Sequence, residues 1–279
     1  MLSYLHEFHA GNFADVHKHG ALTLALAMMQ AKPSPIAGFD THAGSAVYDL
    51  AGERAGKTGE ADAGIQRVWQ LRKQLQGSDW APMLAELARL NPGDGPLVRY
   101  PGSPAWFSSL QRDQDTLTAF ELHSTESSRL QHWARQHRLS VRGGDGLAGL
   151  LGVLPPKAPR LLVLIDPSYE IKDEYSQVCR TLKQAWARCR HGVFLIWYPV
   201  LTSGQHEVLP AQLVGAGIPK IWHSQLHLQQ PPDRGMTGSG MLVVNPPWGF
   251  GDRLDAMLEP VLGYEGLNAQ HQQSWLVPE

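Results

Sequence analysis

The stretch Leu161-Leu-Val-Leu-Ile-Asp166-Pro167-Ser168-Tyr169-Glu170 constrains the fold more than any other part of the chain. An aliphatic run this short and continuous reads as a strand buried on both faces of a parallel sheet, and it stops at a carboxylate, a proline and an aromatic ring. In an open α/β sheet, ligands bind in the crevice beyond the carboxyl ends of the central strands. Asp166 and Tyr169 are therefore the first candidates for a functional site.

Such a strand needs neighbours, and the chain supplies them in alternation. Residues 1–14 read as irregular, and Asp15 is placed to cap a helix running to about Gln30. A short strand from Ile36 leads into the small-residue turn Asp40-Thr-His42-Ala-Gly44-Ser45, where backbone amides can approach a ligand closely. Residues 48–96 read as helical, polar and strand-free, a helical insertion subdomain between the first two strands. Strands at 116–122, 139–142, 161–166 and 192–198 then alternate with helices, which implies a parallel sheet covered on both faces. Residues 220–228 and 240–245 break the rule, being joined by a loop with no helical pattern. A parallel neighbour needs a crossover and an antiparallel one only a loop, so the seventh strand is expected to insert antiparallel.

Seven mostly parallel strands with an antiparallel last strand resemble the class I S-adenosylmethionine-dependent methyltransferase fold, an α/β Rossmann-like architecture, here as one domain over residues 1–279. A nicotinamide-dependent oxidoreductase shares such a sheet. It would usually show a tighter glycine fingerprint, with an acid about 20 residues further on. Here the candidate acid, Glu121, comes far later because the insertion intervenes.

Composition narrows the partners. Lys and Arg number 24 against 26 Asp and Glu, so a net charge of -2 does not mark a nucleic-acid binder, and any RNA contact must come from a local patch. Arg54, Lys57, Arg67, Arg72 and Lys73 on and around the insertion are interspersed with acids and read as a solvated helix face. The two cysteines, Cys179 and Cys189, form no disulfide framework and fit a reducing cytoplasm. The amino terminus does not read as a signal peptide, and no window approaches the roughly 20 apolar residues of a membrane span. His17 and His19 flank Lys18, but in a helix residues i and i+2 point about 200° apart, so no metal site is expected and surface or ligand-facing roles are.

The chemistry rests on Asp166-Pro167-Ser168-Tyr169. Proline holds Asp166 extended and so aims its carboxylate and the following carbonyl. An adenine exocyclic amine is a poor nucleophile because its lone pair is delocalised into the ring. Two acceptors on its hydrogens, the Asp166 carboxylate and the Pro167 carbonyl, would favour a pyramidal nitrogen and stabilise developing positive charge. Tyr169 would stack on the base once it is extruded. A strand-ending turn without function is the other reading of the same letters. Asn245-Pro-Pro-Trp248 competes, but it ends the antiparallel strand and should emerge at the opposite edge.

At this level of detail the chain resembles the large-subunit (23S) ribosomal RNA adenine-N6 methyltransferase J family nearly end to end. The resemblance is carried by Met1-Leu-Ser-Tyr4, His9-Ala-Gly-Asn-Phe-Ala-Asp-Val-His-Lys18-His19, Asp40-Thr-His42-Ala-Gly44, Thr58-Gly-Glu, Tyr100-Pro-Gly-Ser103-Pro, Glu121-Leu-His, Asp145-Gly146, the Asp166 motif, Trp197-Tyr-Pro, Arg234-Gly-Met-Thr-Gly-Ser-Gly-Met, Asn245-Pro-Pro-Trp and Ser274-Trp-Leu-Val-Pro-Glu. It implies S-adenosyl-L-methionine as cofactor, contacted by His19, His42, Ser103, Glu121, Asp145, Gly146 and Asp166 with Lys18 close by. Glu121 would accept from the ribose hydroxyls and Asp145 would read the cofactor's adenine amine. Asp166, Pro167 and Tyr169 would be catalytic, and Tyr4 would touch the RNA as the amino-terminal segment closes over the site. The implied substrate is 23S ribosomal RNA, protein-free or an early precursor, methylated by a monomer. The chain departs from the family at Ser168, where a second proline is usual. A catalytically silent RNA-binding protein and a DNA substrate remain open at this point.

Overall fold

The computed structural model describes residues 5–279; Tyr4 lies outside the described residues. The parallel heart of the fold is β1 (Ile36–Asp40), β4 (Thr116–Glu121), β5 (Ser140–Gly143), β6 (Arg160–Ile165) and β7 (Val193–Leu201), with β2 (Val47–Asp49) and β3 (Arg99–Pro101) forming a separate ribbon. Three further strands complete the large sheet: β8 (Ile221–Leu228), β9 (Met236–Val244) and β10 (Ala269–Val277). Its order is β10-β8-β9-β7-β6-β1-β4-β5, and β9 runs antiparallel to both β7 and β8. This is the class I methyltransferase sheet with its antiparallel strand where the loop argument puts it. β6 lies near the middle, and Leu161 to Ile165 are almost wholly buried.

Among the described residues the large sheet has eight strands where the sequence suggests seven, because β10 pairs antiparallel with β8. Ala269-Gln-His-Gln-Gln-Ser-Trp-Leu-Val covers an edge and is mostly exposed, so it lacks the apolar alternation that marks a strand in sequence. β9 also begins earlier than expected, at Met236.

Helices cover both faces. α1 (Phe13–Gln30) packs on α5 (Ser103–Leu110) and α10 (Phe250–Leu258), while α7 (Gly146–Val153), α8 (Glu174–Arg188) and α9 (Val208–Val214) form a second series. α6 (Ser124–Ala134) lies along β4 and β5. Asn12, not Asp15, caps α1 by accepting from the Asp15 N–H at 2.9 Å. Asp15 is released for another task, accepting from the Gly11 N–H at 2.8 Å and turning into the protein.

Residues 48–96 contain α2 (Glu53–Thr58), α3 (Ile65–Gln70) and α4 (Ala81–Leu90). The segment is not wholly strand-free: Tyr48 and Asp49 belong to β2, which pairs with β3 at its base. Ile65, Val68, Trp69, Met83 and Leu87 join the main core, which ties these helices to the sheet domain. Arg54, Lys57 and Arg72 pair with Glu7, Glu53 and Asp94, and Arg67 donates to the carbonyls of Tyr264 and Gly266. These side chains are engaged within the protein rather than forming a free basic patch.

Close approach of β9 to β7 depends on a missing side chain. Gly240 lies opposite Tyr198, and a Cβ there would stand 2.1 Å from the buried Tyr198 ring. Gly240→Ala should cost about 1–3 kcal/mol of stability. Chemical denaturation would show the midpoint falling, and an unchanged midpoint would mean the pair is less tightly packed than it is drawn here.

Candidate functional site

The carboxyl ends of the parallel strands open into one cavity of about 590 Å³, within the usual range for a small-molecule site. Strand direction explains its lining. β1 ends at Asp40 and continues to His42, β4 ends at Glu121, β5 leads to Asp145 and Gly146, and β6 delivers Asp166. Ser103 opens α5, and Lys18 and His19 reach in from α1. Among the described residues, all the candidates named from sequence except Gly146 line this cavity directly, including Pro167 and Tyr169.

Gly146 serves the site differently. It begins α7 directly after Asp145, and a Cβ on it would lie 1.8 Å from the Thr41 carbonyl oxygen, so only glycine lets the turns after β1 and β5 meet. Asp145 caps α7 by accepting from the Leu147 and Ala148 N–H groups, which uses one of its two oxygens. Glu121 accepts from the Gly44 N–H at 2.7 Å and the His123 N–H at 2.6 Å, and burial pushes its pKa up against those bonds. Burial also holds His42 neutral, its pKa lowered to about 4.

The strongest electrostatic feature is a buried ion cluster. Lys18 Nζ lies 2.6 Å from Asp166 Oδ2 and 2.9 Å from Asp15 Oδ1, while Asp15 Oδ2 accepts from His6 at 2.9 Å. Burial opposes charge on Lys18, but the two carboxylates outweigh it and hold the ammonium protonated. Burial raises the Asp166 pKa while Lys18 pulls it down. We take the carboxylate as ionised, because a lysine contact this short places the counter-charge directly on it. Burial would likewise raise the Asp15 pKa, but His6 and Lys18 drive it well below the usual range.

The expectation of a surface or ligand-facing His17-Lys18-His19 is only partly met. All three are buried, and the two rings diverge as the helical spacing requires. His19 bonds the Tyr100 hydroxyl at 2.8 Å on the cavity side, whereas His17 faces the sheet, between Ser239 and Ser224. α1 is buried along most of its length, so its polar residues find partners inside the protein rather than in solvent.

Tyr169 is also more engaged than a free stacking platform. Its hydroxyl donates to the Trp197 carbonyl at 2.7 Å, and its ring stacks on Tyr175 with centroids 4.3 Å apart. Its φ of 54° is a left-handed conformation that costs an aromatic residue energy and is overdetermined by those contacts. The rival motif sits elsewhere. β9 ends with Val244 beside Phe194, near the start of β7, so Asn245 lies at the opposite edge, donating to the Arg190 and Gly192 carbonyls.

Asp40 is the residue that sequence reasoning passed over. Its carboxylate is wholly buried beside Ser103 and Asp166, and its Oδ1 accepts from the His42 N–H at 3.3 Å. The signal was present, since Ile36-Ala-Gly-Phe-Asp40 is a second apolar strand ending in a carboxylate.

A family model described as "Ribosomal RNA large subunit methyltransferase D, RlmJ" matches residues 33–277. The chain belongs to this family. It is 38% identical to "Ribosomal RNA large subunit methyltransferase J" of Escherichia coli (strain K12), over the full length of both chains. The protein of the same description from Haemophilus influenzae is 36% identical, again over the whole of both. The crystal structure of a Legionella pneumophila protein superposes with a TM-score of 0.88 at 34% identity, covering 96% of this chain and 98% of that one. A class I methyltransferase of this family takes its methyl group from S-adenosyl-L-methionine, and the residues fit that donor. Glu121 and Asp145, both on the cavity wall, keep lone pairs for hydroxyl and amine donors.

Asp40 yields a signed pH prediction. Burial raises its pKa to about 7, against an ordinary value near ~3.9. Its contribution to stability is full below about pH 4 and is lost as pH rises through about 7, where the folded state must ionise it. Asp40→Asn should therefore raise the thermal midpoint over wild type at pH 8 and by much less at pH 5. Equal midpoint differences at both pH values would contradict the assignment.

Proposed function

We propose that this chain methylates the N6 amine of an adenine in 23S ribosomal RNA, with Asp166 as the acceptor that aims the amine. One observation carries the reading. Asp166 ends the central buried strand at the junction of a cavity whose other residues suit S-adenosylmethionine, and its carboxylate is pinned by a buried lysine. The two bacterial relatives, both named as large-subunit ribosomal RNA methyltransferases, support the substrate class.

When bound, the cofactor supplies an electrophilic methyl group. The protein's part is orientation and charge. The Asp166 carboxylate and the Pro167 carbonyl accept the two N6 hydrogens, drawing the nitrogen lone pair out of conjugation. Lys18 fixes the carboxylate by holding one oxygen, and the other faces the amine. Burial makes Asp166 a better base than an exposed carboxylate, so it takes the proton that leaves the methylated nitrogen and returns it to water. Tyr169, held by Tyr175 and Trp197, forms the wall against which the extruded adenine packs. Ser168 leaves that arrangement in place, so activity is retained despite the departure from the family pattern. His19, His42, Ser103, Glu121, Asp145 and Gly146 hold or shape the cofactor half, and Tyr4 touches the RNA.

We read residues 48–96 as a helical insertion subdomain of a single methyltransferase domain. The substrate is protein-free or early precursor RNA, the enzyme a monomer and the compartment the cytoplasm; among the described residues no helix is long and apolar enough to cross a membrane. Family membership favours methyl transfer over nicotinamide chemistry, and turnover separates it from silent RNA binding.

Asp166→Asn keeps an oxygen but loses the charge and puts a donor at the amine. Transfer of tritiated methyl to deproteinised 23S RNA should fall at least 100-fold, with S-adenosylhomocysteine affinity within about threefold of wild type. Near-normal turnover would remove Asp166 from the reaction.

A further inference from the structure

A chain of buried polar groups leads away from the reaction centre, and the mechanism above does not use it. Trp197 Nε1 donates to Ser239 Oγ at 3.0 Å, and Ser239 Oγ lies 3.0 Å from His17 Nδ1. His17 Nε2 lies 2.9 Å from Ser224 Oγ, which in turn lies 2.7 Å from His271 Nε2. His271 Nδ1 is 2.6 Å from Asp255 Oδ1, and there the chain reaches the surface. The side chains of His17, Ser224, Ser239 and His271 are essentially inaccessible, whereas that of Asp255 is about half exposed.

The two ends impose one direction on all five bonds. An indole N–H only donates, and a carboxylate only accepts. Ser239 therefore receives from Trp197 and passes its own proton to His17 Nδ1. That puts the His17 proton on Nε2, from which it goes to Ser224. Ser224 then donates to His271 Nε2, and His271 donates from Nδ1 to Asp255. With both imidazoles neutral, one ring nitrogen of each donates and the other accepts, so the acceptor at Asp255 sets every link back to Ser239. Burial keeps both imidazoles toward the neutral form, as the directed chain requires.

The end nearest the site touches two parts of the proposed machinery. The Lys18 ammonium lies 5.3 Å from the centroid of the Trp197 ring, and the Trp197 carbonyl accepts the Tyr169 hydroxyl. His17 precedes Lys18 on α1, and its two serines lie on β8 and β9. The bonds therefore fix how α1 is rotated about its axis against the sheet, and with it the direction in which Lys18 extends.

We propose that His17 is a positioning residue: as the Nε2–H tautomer at the centre of a one-way relay from Trp197 to Asp255, it sets the placement of Lys18 and Tyr169 for methyl transfer. The inference rests on the reading of Asp166 as the reaction centre.

Ser239→Ala deletes one oxygen and cuts the relay between His17 and Trp197. It should lower kcat about tenfold while the KM values for S-adenosylmethionine and RNA stay within about twofold. It should also shift or broaden the protected 15N resonance of the Lys18 ammonium. In wild type, 15N spectra should show His17 protonated on Nε2 and His271 on Nδ1. Should Ser239→Ala fold poorly, Asp255→Ala and Asp255→Asn test the exposed end: asparagine keeps the acceptor oxygen and should stay near wild type, and alanine should lose rate. A fallen thermal midpoint with kcat and the Lys18 resonance unmoved would make the network purely structural and overturn the proposal, as would a His17 proton on Nδ1. If wild type transferred no methyl to adenine N6, the reading of function would fail separately, because the tautomers and the Lys18 resonance are read without turnover.

Discussion

A lysine buried between two carboxylates holds this site together. Lys18 spans Asp15, three residues earlier on its own helix, and Asp166, on the central strand of the sheet. Ion pairs out of water seldom add net stability, since desolvation offsets much of their attraction, yet losing one partner of such a pair is costly. Their value here is geometric. Once Lys18 is committed to both carboxylates, α1 cannot slide or rotate without stranding a buried charge, and Asp166 is held in one orientation.

The rest of the fold accommodates that requirement. A central parallel strand brings Asp166 to the edge where β1, β4 and β5 also end, so His42, Glu121 and Asp145 gather without any local sequence relation. The antiparallel β9 supplies Ser239 and β8 supplies Ser224, which seat His17 and hence the helix bearing Lys18. Positive φ at Tyr169 is tolerated because Tyr175 and Trp197 hold the ring. Stability is given up at Tyr169, where the site holds an aimed ring.

What was legible in the sequence was whatever is encoded locally. Buried parallel strands announce themselves as apolar runs, and their final polar letters, at Glu121 and Asp166, mark the site. The loop between β8 and β9 disclosed the antiparallel strand because a crossover needs length. β10 was illegible since an exposed edge strand carries little hydrophobic pattern. The roles of Asp15 and His17 were illegible for a different reason. His17 meets Ser239 across 222 positions and Lys18 meets Asp166 across 148, so polar letters that resemble a wet helix face are buried by contacts no window can contain. Asp40 lay between these cases, readable by the rule that found Asp166 but hidden by the small-residue turn after it.

The proposed activity of this cavity is delivery of a methyl group to the amine of an adenine. Mass mapping of 23S ribosomal RNA after incubation with the purified protein and S-adenosylmethionine tests it most directly. Methyl incorporation confined to adenine N6 is the expected result. A methyl group on a ribose oxygen, on another base or on a ring nitrogen of adenine would contradict it.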